Sequence, residues 1–375
     1  MPPDRDPPLH EAARFAALLH QHRDHLKPGD AIPPAIVPSV VYHLPGSPEA
    51  PHQYGRFHNA GWTVLEQALG SLEGGEAVLF PSGMAAIAAV FYARLKAGDR
   101  VLLPSDGYYT IRALTERFLA PMGIAWETRP TRGFAVGGFE GFALVWLEVP
   151  SNPGLDVCDI PAVAAAAHRA GALVVADTTT LTPLGLRALD LGVDVVVAAD
   201  TKAINGHSDA LMGHLATRDT EILEAVLLWR KFAGAIPGPF EAWQVRRGLE
   251  TLEVRYERMC RNALAVAQLM QGHRAITALR YPGLPDDPAH DLARAQWNGF
   301  GFMVSATFSD EAKAEKFLSG CRYLAQSTSF GGVHSSGERR ARWGDAVAPG
   351  FVRLSLGIEP TSALLAEFSR ALDAL

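Results

Sequence analysis

Residues 171–213 read GALVVADTTTLTPLGLRALDLGVDVVVAADTKAINGHSDALMG. Two short apolar runs in this stretch, Ala172 to Ala176 and Val193 to Ala199, have the length and the β-branched content of buried strands. An acid closes each run, Asp177 in the first case and Asp200 in the second. In an open parallel sheet, the groups just beyond the carboxyl ends of the strands line the ligand crevice. We therefore expect these two strand ends to face one site.

Thr201 and Lys202 directly follow the second of these acids. A lysine and a carboxylate at two neighbouring strand ends suit pyridoxal phosphate (PLP). The lysine can form a Schiff base with it, and the carboxylate can hold its pyridinium nitrogen protonated. Read without a ligand, the same residues are two exposed strand-end charges. The stretch points to a PLP site at Lys202 and Asp177 but leaves that alternative open.

Length and composition are those of an ordinary soluble protein. With 375 residues, 48% of them hydrophobic and 20% charged, the chain can form two domains and a large core. Its net charge of -6 gives no electrostatic support to nucleic-acid binding. Three cysteines without a CxxC pair favour a reducing compartment, and we find neither the apolar core of a signal peptide nor a run that could cross a bilayer. We expect a cytoplasmic protein without a membrane or nucleic-acid partner.

The first 60 residues predict a helix and an extended arm. Leu9 to Leu26 has helical periodicity, and the prolines from Pro28 to Pro45 deny the next segment a helix. Such an arm is a good candidate to lie on a neighbouring subunit. Within it, Tyr54 and Arg56 offer a phenol and a guanidinium that suit a phosphate, or else form an incidental surface turn. The predicted helix carries four histidines, which fit an exposed face better than a metal site: His10, His20, His22 and His25.

A second anion site is predicted where FPSGMAA, residues 80–86, follows a short strand. A helix opening at Gly83 and Met84 would point free backbone N–H groups and its dipole at a ligand. The alternative is a tight connection in which Gly83 only relieves the backbone. The motif is not a nucleophile elbow, because Phe80 and Met84 stand where that turn needs glycines.

Strand and helix patterns alternate from residue 61 to residue 240 and predict an α/β fold, a mainly parallel sheet with helices on both faces. A long helix over Glu241 to about Gly272 would link it to a smaller C-terminal α+β domain. We therefore divide the chain into an arm (1–60), a large domain (61–240) and a small domain (241–375). The loop from Ser327 to Asp345 is too long for a connector and is expected to be functional or disordered.

Other ligands have weaker support. No G-x-G-x-x-G follows a predicted strand and no P-loop lysine is present, so dinucleotides and P-loop nucleotides lose their usual signatures. His207, Asp209 and His214 could bind a metal, but they fit equally well as hydrogen-bonding supports of a loop beside Lys202. We expect no metal.

Taken together and in order, the motifs resemble the Cys/Met-metabolism family of PLP enzymes, the cystathionine lyases and their relatives. The resemblance covers nearly the whole chain and implies the type I fold of PLP-dependent transferases. The segments that carry it are YGR (54–56), LEQALGSLEGG (65–75), FPSGMAA (80–86), SDGY (105–108), EVPSNP (148–153), VVADTT (174–179), DTKAINGHSDALMG (200–213), RRGLETLEVR (246–255), SFGG (329–332) and VRLSLGIE (352–359).

The resemblance implies a role for each matching residue. Lys202 would carry PLP and then act as the mobile base, Asp177 would pair with the pyridinium, and Tyr108 would stack on the ring and help in proton transfer. The phosphate would lie on the amides of Gly83 and Met84. The full set of implied cofactor contacts is Tyr54, Arg56, Gly83, Met84, Tyr108, Asn152, Asp177, Thr201 and Lys202.

On the substrate side, Arg353 would bind the α-carboxylate, with Ser329 and Tyr54 close by. Tyr54 and Arg56 would reach the phosphate of the neighbouring subunit, so the minimal active unit would be a dimer, and the family usually forms homotetramers. Asn59-Ala60-Gly61 departs from the family pattern, and so do Thr178, Ala199, Asp200, Thr328 and His334. They leave the cofactor in place and the choice of substrate open.

The resemblance therefore implies a PLP-dependent carbon–sulfur lyase acting on cystathionine-like amino acids. The motifs SGM, NGHSD and RLSLG favour γ-elimination, which gives cysteine, 2-oxobutanoate and ammonia. The motifs LEGG and LFPSG suit a cystathionine β-lyase equally well. A cystathionine γ-synthase and a methionine γ-lyase are further alternatives. The departures at Thr178, Ala199 and Asp200 motivate a different class, a catalytically weak PLP-fold binding protein.

Overall fold

The computed structural model describes residues 9–21 and 26–375. Its strands are β1 Glu76–Phe80, β2 Arg100–Pro104, β3 Ala125–Arg129, β4 Leu144–Glu148, β5 Leu173–Asp177, β6 Val195–Ala198, β7 Gly213–Thr217, β8 Ile276–Arg280, β9 Met303–Phe308, β10 Ser336–Arg339 and β11 Phe351–Ser355. Its helices are α1 Leu9–His20, α2 Ala60–Glu73, α3 Gly83–Arg94, α4 Tyr109–Leu114, α5 Ile160–Arg169, the single turn α6 Thr182–Gly185, α7 Thr220–Ala233, α8 Pro239–Leu249, α9 Leu252–Met270, α10 His290–Gln296, α11 Glu311–Gly320 and α12 Thr361–Asp373. Within these ranges no helix is long and apolar enough to span a membrane.

Seven strands form one large sheet in the order β1-β7-β6-β5-β4-β2-β3. The strands from β6 to β3 run parallel, which confirms the predicted α/β architecture. Alternate side chains of each strand enter different cores: Val196 belongs to the core that contains α2 and α5, whereas Val195 and Val197 belong to the core that contains α3 and α7. Both faces are therefore covered, and ligands reach the sheet at its carboxyl edge.

Strand β7 was not predicted, and it makes one side of the sheet antiparallel. It pairs antiparallel with both β1 and β6. Its sequence, GHLAT, opens with a glycine and a histidine and lacks the apolar run that marks the other central strands. The sheet is thus mainly parallel only from β6 outward, and the segment containing Lys202 returns directly into β7.

The small sheet has the order β10-β11-β9-β8, all antiparallel, and packs against α9, α11 and α12. The single long helix predicted over residues 241–272 is wrong: α8 and α9 are separate. The Arg255 guanidinium donates to the carbonyl of Gly248 (2.7 Å) and to Thr251 Oγ1 (3.1 Å), which holds the break. Gly248 also lies so close to the Asn205 backbone that a Cβ there would collide with it. The break therefore fits α8 onto the loop that carries Lys202.

The N-terminal helix was predicted to continue to Leu26, but α1 ends at His20, and His22 and His25 lie outside the described residues. The loop from Ser327 to Asp345 is not uniformly irregular. It contains β10, whose Glu338 stands opposite Arg353 of β11. The domain boundaries at residues 60 and 240 stay predictions.

Candidate active site

Two carboxyl groups end adjacent strands at the carboxyl edge of the large sheet. Glu148 on β4 and Asp177 on β5 are register partners. Burial raises the pKa of both, and the nearby Asp177 charge adds to the effect on Glu148. The backbone N–H of Thr179 donates to Asp177 Oδ1 (2.9 Å) and holds its carboxylate in place. A cationic ring nitrogen beside Asp177 would compensate negative charge on this pair of carboxyl groups.

Lys202 lies on the loop between β6 and β7, with its amine directed toward the small domain. Its Nζ donates to Ser329 Oγ (2.9 Å) and lies 4.8 Å from the centroid of the Phe330 ring. Burial and then the charge of Arg353 lower the pKa of Lys202 to about 8. A lysine with this pKa can act as a nucleophile and as a base near neutral pH.

Arg353 is buried on β11 and faces the same ring. Its Cζ lies 5.0 Å from the Phe330 centroid, so the guanidinium and the Lys202 amine lie within about 10 Å of each other. Its Nη1 donates to Asn152 Oδ1 (2.8 Å), and its Nη2 donates to the Thr328 carbonyl (2.8 Å) and to Glu338 Oε1 (2.5 Å). These contacts leave the Nε–H and one Nη1–H of Arg353 for a carboxylate, an anion that hydrogen-bonds strongly to a guanidinium.

Glu148 contacts the backbone of two predicted site residues, a role that its residue type alone does not reveal. One carboxyl oxygen accepts from the Tyr108 backbone N–H (2.6 Å) and the other from the Asn152 backbone N–H (3.0 Å). Gly107 leaves room for this contact, since a Cβ there would lie 2.7 Å from Glu148 Oε2. Glu148 is the first residue of the motif EVPSNP, and that motif is the sequence signal that marks it. Its burial at the end of β4 lets its carboxyl group bind the two backbone N–H groups.

The predicted anion site lies at the start of α3. Ser82 caps the helix by accepting from the Ala85 N–H (3.1 Å), and Gly83 is buried against the end of β6. A Cβ at Gly83 would lie 2.7 Å from the Cβ of Ala199, so the turn accepts only glycine without movement. A helix N-terminus with a small-residue turn fits a phosphate. The Thr201 hydroxyl exchanges hydrogen bonds with the carbonyl (3.1 Å) and N–H (3.0 Å) of Met212 and so closes the base of the Lys202 loop.

Tyr54 and Arg56 stand apart from these groups. Arg56 Nη1 donates to the carbonyl of Lys231 on α7 (2.6 Å), and Tyr54 forms a β-bridge with Val41. In the described part of the chain, none of their recorded hydrogen bonds or ring contacts involves Lys202, Asp177 or Gly83. Within this chain, Tyr54 and Arg56 therefore lie apart from the other predicted cofactor contacts.

The alternative of a metal site at His207 and Asp209 finds no support in the contacts. His207 Nδ1 lies 2.7 Å from the carbonyl of Asn205, and Asp209 Oδ1 accepts from the Asn205 side chain (2.8 Å). His214 instead contacts Asp200. Over the described residues, no group of three or more His, Cys, Asp or Glu side chains could hold a metal ion.

The residues at this edge fit PLP by their chemistry. They supply an acid for a pyridine nitrogen, an amine with a lowered pKa, a helix start for a phosphate and a guanidinium for a carboxylate. A model of the family described as Cys/Met metabolism PLP-dependent enzyme matches residues 17–373. The chain belongs to this family. It is an enzyme, and its cofactor is PLP.

Named relatives of this PLP enzyme differ in specificity. It is 48% identical over 347 residues to a protein of Streptomyces coelicolor named "Putative cystathionine gamma-lyase", covering 91% of this chain and 88% of that one. It is 36% identical over 337 residues to the cystathionine gamma-synthase of Mycobacterium bovis, covering 85% and 86%. The structure of a cystathionine gamma-synthase from Xanthomonas oryzae, in complex with aminoacrylate and cysteine, superposes with a TM-score of 0.91 at 33% identity, covering 96% of this chain and 97% of that one. The similarity confirms the PLP fold and the enzyme family and leaves the reaction among its members to be argued.

Proposed function

We propose that this PLP enzyme is a carbon–sulfur lyase that cleaves cystathionine-like amino acids by γ-elimination, releasing cysteine, 2-oxobutanoate and ammonia. The observation that carries the proposal is the placement of Lys202 Nζ and the Arg353 guanidinium around one aromatic ring, Phe330. The spacing suits an α-amino acid, whose carboxylate and Cα proton must be held by two different groups. The relative named as a γ-lyase supports the choice among reactions.

Each side chain at the site has its own role in the reaction. Bound PLP supplies an electron sink that draws electron density from the substrate Cα. Lys202 Nζ takes the Cα proton, because burial and Arg353 lower the pKa of Lys202 to about 8 and leave a useful neutral fraction near pH 7 to 8. Ser329 Oγ accepts a hydrogen bond from the same amine and aims it. Arg353 binds the carboxylate, and the half-exposed Tyr108 phenol is available for proton transfer.

In the γ-route a Cβ proton is also lost before the thiol leaves from Cγ, and water finally releases ammonia. The β-route ends instead in homocysteine, pyruvate and ammonia. A γ-synthase, as named for the mycobacterial and Xanthomonas relatives, would join cysteine to an activated substrate. Membership of an enzyme family speaks against the alternative of a catalytically weak PLP-binding protein, although Thr178 Oγ1, at one of the departures from the family pattern, is buried without a hydrogen-bond partner among the described residues.

Product analysis tests the proposal. Purified holoenzyme is incubated with cystathionine, and thiols and keto acids are separated and identified by mass spectrometry. We expect cysteine and 2-oxobutanoate in equal amounts, and a loss of about 10³-fold or more in the Lys202→Ala variant, which lacks the base. Homocysteine and pyruvate as sole products would make the enzyme a β-lyase. Full PLP loading without turnover of cystathionine, methionine or an activated homoserine would favour the binding protein.

We infer that the arm completes the active site of a second subunit, so that the enzyme is a dimer with shared sites and, by analogy with the family, a homotetramer. The arm supports this because apolar side chains project from it into solvent, with Val40 56% and Val41 76% exposed. Tyr54 and Arg56 are likewise unconnected to the site of their own chain. A cytoplasmic location fits three cysteines that form no disulfide.

A further inference from the structure

A fully buried charged cluster lies behind the Lys202 loop, and the reaction does not use it directly. His214 on β7 places Nδ1 2.6 Å from Asp200 Oδ1 and Nε2 3.3 Å from Glu73 Oε1. The side chains of all three residues are 0% exposed. From the sequence, Asp200 was a strand-end acid expected to face the ligand crevice and a departure from the family pattern, and His214 was a possible metal ligand or a loop support. Asp200 is instead buried against His214. Their contact explains both residues as one unit.

The cluster closes the base of the loop that carries Lys202. Thr201 is hydrogen-bonded to Met212 through its backbone and its hydroxyl. The Asp200–His214 contact lies next to that link, one residue before Thr201 and two residues after Met212. The carbonyl of Asp200 also accepts from the Asn205 N–H within the loop (2.9 Å). Because Glu73 ends α2, the cluster joins the loop base to that helix as well.

Charge makes the three residues interdependent. Burial alone would lower the pKa of His214, but Asp200 and Glu73 outweigh it and raise that pKa to about 10, so the ring is an imidazolium at neutral pH. Among the described residues, Asp200 Oδ2 and Glu73 Oε2 are buried without a hydrogen-bond partner, so this imidazolium is their main counter-charge. The His214 charge in turn lowers the pKa of Asp177, which burial raises.

Other charged groups around His214 are already paired or more distant. Its partners across the sheet are apolar, Leu79 on β1 and Ala198 on β6. The second acid of α2 that faces this region, Glu66, pairs with Arg230 (2.6 Å). The charge behind the cofactor site is therefore set by the three cluster residues.

We propose that Glu73, His214 and Asp200 form a positioning cluster that fixes the base of the Lys202 loop and sets the charge felt by the bound cofactor. The inference rests on the proposed attachment of PLP to Lys202. The cluster sets one imidazolium between two carboxyl groups. Removing the imidazolium makes it more negative and favours protonation of the bound cofactor, whereas removing one carboxylate does the opposite. A cluster that served packing alone would not produce opposite signs.

The test uses holoenzyme with His214→Gln, Asp200→Asn and both substitutions together. The readout is the pH midpoint of the change in the absorption band of bound PLP, measured without substrate. We expect the midpoint to rise by about 0.5 pH unit in His214→Gln and to fall by up to about 0.5 in Asp200→Asn, the full fall requiring that Glu73 alone keeps the His214 ring protonated. The double variant loses one charge of each sign and should return close to the wild-type midpoint.

His168→Gln is the matched control, because His168 also pairs with a carboxylate, Asp194 (2.9 Å), but at an exposed position. Its midpoint should equal that of the wild type. Shifts of the same sign in both single variants, or none, would overturn the proposal. If His214→Gln does not fold, Asp200→Asn and the ring nitrogen NMR signals of wild-type His214 decide: a neutral ring at pH 8 would overturn it too. A PLP band that survives in Lys202→Ala would instead contradict the attachment site.

Discussion

At the scale of single residues, the chemistry of Lys202 depends on its neighbours more than on its type. Burial and Arg353 lower its pKa to about 8, while Glu338 and Asp177 act in the opposite direction. Glu338 itself is buried and binds three further groups: Arg340 Nη1 (2.7 Å), Arg342 Nη2 (3.3 Å) and Trp343 Nε1 (2.7 Å). The loop predicted as functional or disordered is thus ordered around a carboxylate that offsets part of the positive charge at the site.

The rate at which apo-protein takes up PLP should report the pKa of Lys202. Only the neutral amine can attack the aldehyde, so the rate should rise about tenfold per pH unit below pH 8 and level off above it. Stopped-flow absorbance between pH 6 and 10 measures this midpoint. In Glu338→Gln the midpoint should fall, because a charge that favours the protonated amine is gone.

Glu367→Gln is a suitable control for that series. Glu367 is also a buried carboxylate paired with arginines, Arg322 and Arg370, but it lies outside the site. Its variant should keep the wild-type midpoint. A wild-type midpoint near 10.5, the ordinary value for lysine, would show that Lys202 is not tuned in this way.

The sequence pattern singles out Lys202 and Asp177 as candidates, but not the residues that they contact. Asp177 ends β5 and Lys202 follows β6 by four residues, and the apolar runs reveal both strands. By contrast, Glu73 and Asp200 are 127 positions apart in the sequence and meet only through His214. Burial and contact decide such roles, and neither can be read from residue type.

At the scale of elements, the strands of the large sheet with a continuous apolar run were predicted, whereas the more polar strands β3, β7 and β10 were missed. Strand β5 (LVVAD) and strand β6 (VVVA) are buried on both faces, so their composition is distinctive. Edge strand β3 (AWETR) is largely exposed and polar, and its residues alone give no strand signal. Strand β10 (SGER) forms because Glu338 pairs with Arg353 across the ladder.

The break between α8 and α9 shows the same limit for helices. The helical periodicity of residues 241–272 is real, and it predicted one element. The break comes from tertiary contacts, the packing of Gly248 on Asn205 and the hydrogen bonds of Arg255 to the carbonyls of Ala203 (2.6 Å) and Ile204 (3.0 Å). These contacts hold the Lys202 loop against α8 and α9.

At the scale of the whole molecule, the proposed active site is formed by two subunits. Mixing Tyr54→Phe/Arg56→Ala chains with Lys202→Ala chains should recover activity in the hybrid dimer, because one of its two sites has both an intact lysine and an intact arm. After full exchange of subunits, about a quarter of wild-type activity is expected, since half the dimers are hybrids with one working site each. Steady-state assays on the mixture, with tagged chains to prove exchange, measure this.

Each parental variant assayed alone is the control and should be far less active than the mixture. Proven exchange without recovery would mean that Tyr54 and Arg56 serve their own chain after a movement of the arm. The sheet, the Lys202 loop and the Arg353 clamp would be unaffected by that result, because all of them lie within one subunit.

We propose that PLP is attached to Lys202. Reducing the holoenzyme with borohydride, digesting it and locating the pyridoxyl group by mass spectrometry tests this directly. We predict one labelled site, Lys202, loss of the yellow colour on reduction, and no label in Lys202→Ala. The attachment of PLP to Lys202 would be contradicted by an unmodified Lys202 together with a label on another lysine. The other lysines are Lys27, Lys96, Lys231, Lys313 and Lys316.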